Sequence, residues 1–185
     1  MKEYKREYPL FALCGLNCGL CPRYQTNSKS KCPGCGGKDF HLKHPTCAVI
    51  TCSKKHDNVE YCFKCASYPC QRYSGPNKAD SFISYQNVIS DFQKAKEGID
   101  AYKKELDEKV SIVEYLIDNY NDGRKKSFYC NAVNLMPLND SREIMAEIEE
   151  KISKQDINLK DKIELIISLF EAKAEKENIE LKLRS

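Results

Sequence analysis

The chain offers one residue type in a pattern that can do chemistry. It has 11 cysteines, and ten of them lie between Cys14 and Cys70, with only Cys130 outside. They run as Cys14-x3-Cys18-x2-Cys21, Cys32-x2-Cys35, Cys47-x4-Cys52 and Cys62-x2-Cys65-x4-Cys70. Pairs two residues apart are the usual zinc-knuckle unit, because two thiolates on a tetrahedral ion stand about 3.7 Å apart with Zn–S near 2.3 Å. A two-residue spacer lets a tight turn meet that distance while its amides face the sulfurs. "CPGCG", Cys32 to Gly36, carries the Pro and Gly such a turn favours. All ten cysteines from Cys14 to Cys70 are therefore expected as metal ligands.

Spacing does not fix which cysteines share an ion. The sequential pairing puts Cys18, Cys21, Cys32 and Cys35 on one zinc and Cys47, Cys52, Cys62 and Cys65 on another. Interleaved pairings are equally physical. Cys14 and Cys70 are then left for a third site, so two or three zinc ions are expected. His41, His44 and His56 lie in the same segment and read first as solvated loop residues. Cys130 reads as a small buried apolar residue.

The alternative cofactor is an iron–sulfur cluster. Cys14-x3-Cys18-x2-Cys21 would supply three thiolates, and "YPC", Tyr68 to Cys70, sets a Pro beside a remote cysteine. Radical enzymes use that C-x3-C-x2-C spacing on a large α/β barrel. The residues after Cys70 read as helices without alternating strands, so that barrel does not fit.

Composition narrows the class. No run approaches the roughly 18 apolar residues of a membrane span. The start, "MKEYKREYPLFALCGL", does not read as a secretory signal. A reducing cytoplasm is thus expected, where dense cysteines mean metal rather than disulfides. Residues 1–75 carry a net charge of +7 and residues 76–185 carry −4. Thiolates offset the first excess, so nucleic acid is not the expected partner, and a protein partner is the open alternative. No Ser-His-Asp set, P-loop or H-E-x-x-H helix occurs, and no catalytic residue is assigned. Zinc closed by four thiolates has no position for substrate water, whereas a metal-dependent enzyme would need an open one.

Two regions must position the cysteines. Residues 10–73 form a cysteine-rich lobe with only eight Leu, Ile, Val or Phe between Cys14 and Cys70, too few to offset chain entropy unaided. Loops, knuckles and one short hairpin are expected there. "SGPNKAD", Ser74 to Asp80, is turn-forming and marks the boundary. Residues 80–185 form a helical lobe of about five helices. Its apolar stripes are Phe82, Tyr85, Ile89 and Phe92; Ile112, Val113, Leu116 and Tyr120; Ile144, Ile148 and Ile152; and Ile163, Ile166, Ile167, Phe170 and Ala174. Asp122-Gly123 is expected to stop one helix, and Lys126 to Met136 to form a short one. Asn139, Asp140 or Ser141 would cap the next. "NIELKLRS" could form a terminal strand. "DGRKKSFYC", Asp122 to Cys130, reads as a turn, a solvated basic patch and Phe128, Tyr129 and Cys130 dipping into the core.

"LCGLNCGLCPRY", "CPGCGG", "YCFKCASYPCQRY" and "DGRKKSFYCNAVNLMPL", in this order, resemble domain-of-unknown-function family 3795. These are small cysteine-rich bacterial and archaeal proteins described as zinc-binding. The resemblance spans Cys14 to about Leu138. It implies metal binding and a microbial cytoplasm, and it implies no reaction and no ligand pairing. The expected fold is α with small irregular parts: a zinc-knuckle-like N-terminal lobe packed on helices. The expected role is binding or scaffolding.

Overall fold

The computed structural model describes residues 4–44, 46–73, 79–154 and 156–184. Among them are seven α-helices and two single 3-10 turns, and no strand. The short α1 (Phe40–Lys43) and α2 (Ala48–Ser53) lie in the cysteine-rich segment. Five longer helices follow: α3 (Val88–Glu97), α4 (Ile99–Asn119), α5 (Lys126–Leu135), α6 (Leu138–Ser153) and α7 (Leu159–Lys176). The five-helix expectation for the C-terminal region agrees with this. Among the described residues, no helix is long and apolar enough to cross a membrane. The proposed boundary at Ser74–Asp80 lies outside the described residues, except for Ala79 and Asp80.

Helix α4 organises the bundle. Tyr102, Leu106, Val110, Val113 and Leu116 recur every three or four residues and are buried, so one stripe faces the core. Packed against it are α3, α5, α6 and the 3-10 turn at Cys18–Leu20. Helix α5 differs in kind. Every residue from Tyr129 to Leu135 is buried, as expected of a helix enclosed on all sides. Tyr129 and Cys130 are fully buried while Arg124 is exposed, matching the turn-and-core reading of that stretch.

Several sequence expectations are corrected. The stripe Phe82, Tyr85, Ile89 and Phe92 is not one helix, because α3 begins only at Val88. Asp80 holds the preceding loop instead, accepting from the Tyr85 amide (2.7 Å) and the Ser84 hydroxyl (3.0 Å). Asn139, Asp140 and Ser141 lie inside the first turn of α6 after Pro137, and none caps it. Pro's fixed φ suits that helix start. The described part of the C-terminal "NIELKLRS", residues 178–184, forms no strand; Arg184 is tied to Asp80 by its side chain and amide. The hairpin shrinks to one isolated bridge between Phe11 and Asn17.

The cysteine-rich segment shares its core with the helices. Phe11, Leu20, Tyr61 and Phe63 join one buried cluster with Phe92, Tyr102 and Leu106. Phe92 is the meeting point. Phe11, Phe63, Tyr68 and Tyr73 all set their rings within 5.2–5.9 Å of it. Close approach requires Gly15, whose φ is +88° and whose added Cβ would stand 2.8 Å from both the Phe92 ring and Val88. Gly15→Ala adds a strained left-handed residue to that clash. It should destabilise the fold by roughly 1–3 kcal/mol, read as a lower urea midpoint. An unchanged midpoint would mean that α3 does not press on this turn.

Candidate metal centre

The first three cysteines are placed by a tight reversal. The Gly15 amide donates to the Ala12 carbonyl (2.9 Å), and the Ala12 amide to the Leu16 carbonyl (2.8 Å). Cys18–Leu20 then makes a 3-10 turn, and the Cys21 amide donates to the Cys18 carbonyl at 3.1 Å. Cys62–Lys64 repeats that turn, with the Cys65 amide donating to the Cys62 carbonyl at 3.0 Å. Both turns leave the second cysteine at nearly the same backbone angles, φ −76° and ψ 135° for Cys21, φ −73° and ψ 137° for Cys65. The same x2 spacing thus gives the same local structure twice. At Cys32–Cys35 the chain turns through Gly34 at φ +79°, and the Cys35 amide is clipped to the Pro9 carbonyl at 2.9 Å. Cys47 stands at the N-terminus of α2 and Cys52 within it.

These turns gather the thiols into two neighbourhoods. Cys14, Cys18, Cys21, Cys32, Cys35 and Cys47 line one cavity of about 610 Å³. The thiols of Cys52, Cys70 and Cys65 act on Cys62, and Cys62 in turn acts on Cys14, so the two neighbourhoods adjoin. This grouping differs from the sequential pairing by exchanging Cys47 for Cys70. Among the described residues, no three His, Cys, Asp or Glu side chains converge tightly enough to hold one metal ion as they stand. His44 also lines the cavity and stacks on Phe40 at 4.5 Å.

Burial and neighbouring thiols favour the protonated form of several of these cysteines. Burial, then neighbouring thiols, pushes Cys14 up to about 12. Burial likewise raises Cys18 far above the usual thiol range, with Cys35, Cys14, Cys21 and Cys32 adding to it. Burial raises Cys21, Cys35 and Cys62 as well. Opposing groups are already in place. The Leu16 amide faces the Cys14 sulfur, the Arg23 and Tyr24 amides face Cys21, and the Leu13 amide and the Arg6 charge favour the Cys35 thiolate. The Tyr73 hydroxyl does the same for Cys62. Soft sulfur donors with amides directed at them suit a thiophilic cation in type and number.

The turn at Cys14–Cys21 is anchored by a residue that sequence reading passed over. Asn17 is 3% exposed. Its amide nitrogen donates to Asp91 Oδ2 and to Asn134 Oδ1, both at 3.0 Å, and its oxygen accepts from the Tyr102 hydroxyl at 2.8 Å. Asn87 donates to the carbonyls of Asn134 and Leu135, satisfying the open end of α5. Lys109, 5% exposed, donates to the Met136 carbonyl at 2.7 Å. One signal could have revealed the network: Ser127 to Leu138 contains no charged residue, the mark of a helix buried all round.

Residues 10–75 match the family model described as a protein of unknown function, DUF3795. The match covers the cysteine-rich segment and less than half of the chain. The match includes Asn17 and all ten clustered cysteines and stops before α3, so "DGRKKSFYCNAVNLMPL" lies outside it. No curated protein and no solved structure matches the chain.

Burial pushes the Asp91 carboxyl up to about 6, against the pull of Lys109, Tyr102 and Asn17. A carboxyl raised above its unfolded value favours the fold while protonated, so this contribution is present below about pH 4 and lost as pH rises through about 6. Asp91→Asn should remove that loss. Compared with wild type, the variant should gain on the order of 2–3 kcal/mol between those limits, measured by urea denaturation at each pH. Parallel pH profiles would mean that Asp91 titrates normally.

Proposed function

We propose that the chain is a metal-binding protein whose cysteine-held ions, zinc in the first instance, fix the N-terminal segment against the helices in a binding or scaffold role. The observation that carries this reading is the repeated 3-10 turn at Cys18–Cys21 and Cys62–Cys65, each with further thiols beside it. Cys52, Cys62, Cys65 and Cys70 are one candidate set. Cys18, Cys21, Cys32 and Cys35 are the second, with Cys14 and Cys47 beside them. A bound zinc would supply a positive centre that stabilises the thiolates and closes each loop. The chain's own amides and Arg6 would share the remaining negative charge. With eight thiolates closing two ions, nothing here calls for catalysis.

One observation favours a second reading. Cys14, Cys18 and Cys21 open into the same cavity, together with Cys32, Cys35 and Cys47, so a thiolate-held iron–sulfur cluster has three ligands at the expected spacing and a choice of fourth.

Metal analysis and an absorption spectrum on protein purified without oxygen test both. About two zinc per chain and no visible band are expected. Iron with sulfide and a broad visible band would replace the zinc reading by the cluster, and neither metal would end both. Cys62→Ser should lose about one zinc and melt earlier, because each structural ion carries folding free energy. Full metal content with an unaltered melting curve would remove Cys62 from the ligand set. The shared core around Phe11 and Phe92 makes a single transition the expected result after chelation. Two separate transitions would support the division into lobes at 10–73 and 80–185.

A further inference from the structure

The cavity that receives the six thiols extends well past them. Its volume of about 610 Å³ lies within the ~300–1,000 Å³ typical of small-molecule sites. One tetrahedral ion with bonds near 2.3 Å fills far less. Away from the thiols the wall is apolar, formed by Phe82, Ile83, Val88 and Ile89. Phe82 and Ile89 are 54% and 50% exposed. They leave large apolar side chains in water at the edge of the cavity, as Leu42, Leu159 and Leu183 do elsewhere on the surface.

Apart from the thiols, the charge on this wall has one sign. Arg23, Lys43, Arg72 and Arg184 line the cavity, and no Asp or Glu among the described residues does. Arg184 is already neutralised, since Asp80 accepts from its Nη2 at 2.9 Å and its Nε at 3.2 Å. Arg23, Lys43 and Arg72 have no carboxylate partner among the described residues. The Arg23 guanidinium lies over the Phe82 ring, 5.0 Å from its centroid. Cation and apolar surface are therefore adjacent at one place, which is what an amphipathic anion requires. Arginine is also suited to bidentate recognition of a carboxylate.

We propose that this cavity binds a small organic anion, a monocarboxylate with an apolar body. Arg23 and Arg72 meet the carboxylate, and Phe82 and Ile89 cover the apolar part. The site goes beyond the metal reading and does not depend on it, because none of these four residues is a thiol donor.

Octanoate is the probe. It is titrated calorimetrically into the full chain as purified, with zinc and iron measured on the same sample. Octanoate should bind, and octan-1-ol and octylamine should bind at least about tenfold more weakly. Arg23→Met with Arg72→Met should weaken octanoate about tenfold or more while metal content and melting curve stay unchanged. Phe82→Ser should weaken octanoate and octanol alike. Octanol binding as tightly as octanoate would overturn the proposal, as would absence of octanoate binding or arginine variants that bind like wild type. Loss of metal in the arginine variants with octanoate affinity retained would overturn it too, showing that the cations only balance thiolate charge. Metal-free protein that binds octanoate sinks the metal reading alone. Metal-loaded protein that ignores octanoate sinks this one alone.

Discussion

Asn17 sits between two cysteines of a reversing loop, yet its side chain belongs to the helices. Its three hydrogen bonds reach α3, α4 and α5 through Asp91, Tyr102 and Asn134. A buried amide left without partners is costly, so the loop has one favourable position relative to the bundle. That position sets everything around it. It aims Cys14, Cys18 and Cys21 into the cavity and presses Gly15 against Phe92. It also brings Phe11 within 4.8 Å of the Tyr102 ring. A polar contact thus supplies the register, while the aromatic cluster supplies most of the buried area.

The same contact accounts for the character of α5. The enclosed part of α5, from Tyr129 to Leu135, carries no charge, but its Asn131 and Asn134 reach outward to fixed partners. Asn134 accepts from Asn17 and donates to the Ser84 carbonyl. Asn131 donates to the Leu181 carbonyl. One buried helix therefore ties down the cysteine turn, the loop before α3 and the C-terminal segment. Arg184 adds a second clasp on Asp80. Burial would raise that carboxyl, but hydrogen bonds from Arg184, Tyr85 and Ser84 outweigh it and hold Asp80 at about 2. These ties let a segment poor in aliphatic residues share a core that it could not build alone.

How much of this the sequence disclosed depends on what kind of force acts. The apolar stripes of α4, α6 and α7 were readable, because burial of one helix face leaves a period of 3.6. The x2 cysteine pairs were readable as turns for a similar reason: the spacing itself dictates the geometry. The stripe from Phe82 to Phe92 misled because apolar residues at helical spacing can also sit in a loop held by a side chain, here Asp80. Lys109 and Asp91 were unreadable as core residues. Each is charged and lies on a helix, and only partners distant in sequence make their burial tolerable.

Five of the clustered cysteines face two opposed demands. As thiols they are disfavoured from ionising, since burial and mutual repulsion raise Cys14, Cys18, Cys21, Cys35 and Cys62 together. Yet the backbone presents amides to three of those sulfurs, a Tyr hydroxyl to a fourth and a guanidinium charge near Cys35. Such groups gain little beside neutral thiols and much beside thiolates. A fold that needed only small buried apolar residues would have no use for them. Cys130 is buried in α5 as well and pushed up to about 12 by burial first and Cys21 second, with Lys126 and its own backbone amide opposing. What sets Cys14, Cys21, Cys35 and Cys62 apart is a donor from another residue facing each sulfur. It is those donors, more than the number of cysteines, that argue for a cation among them.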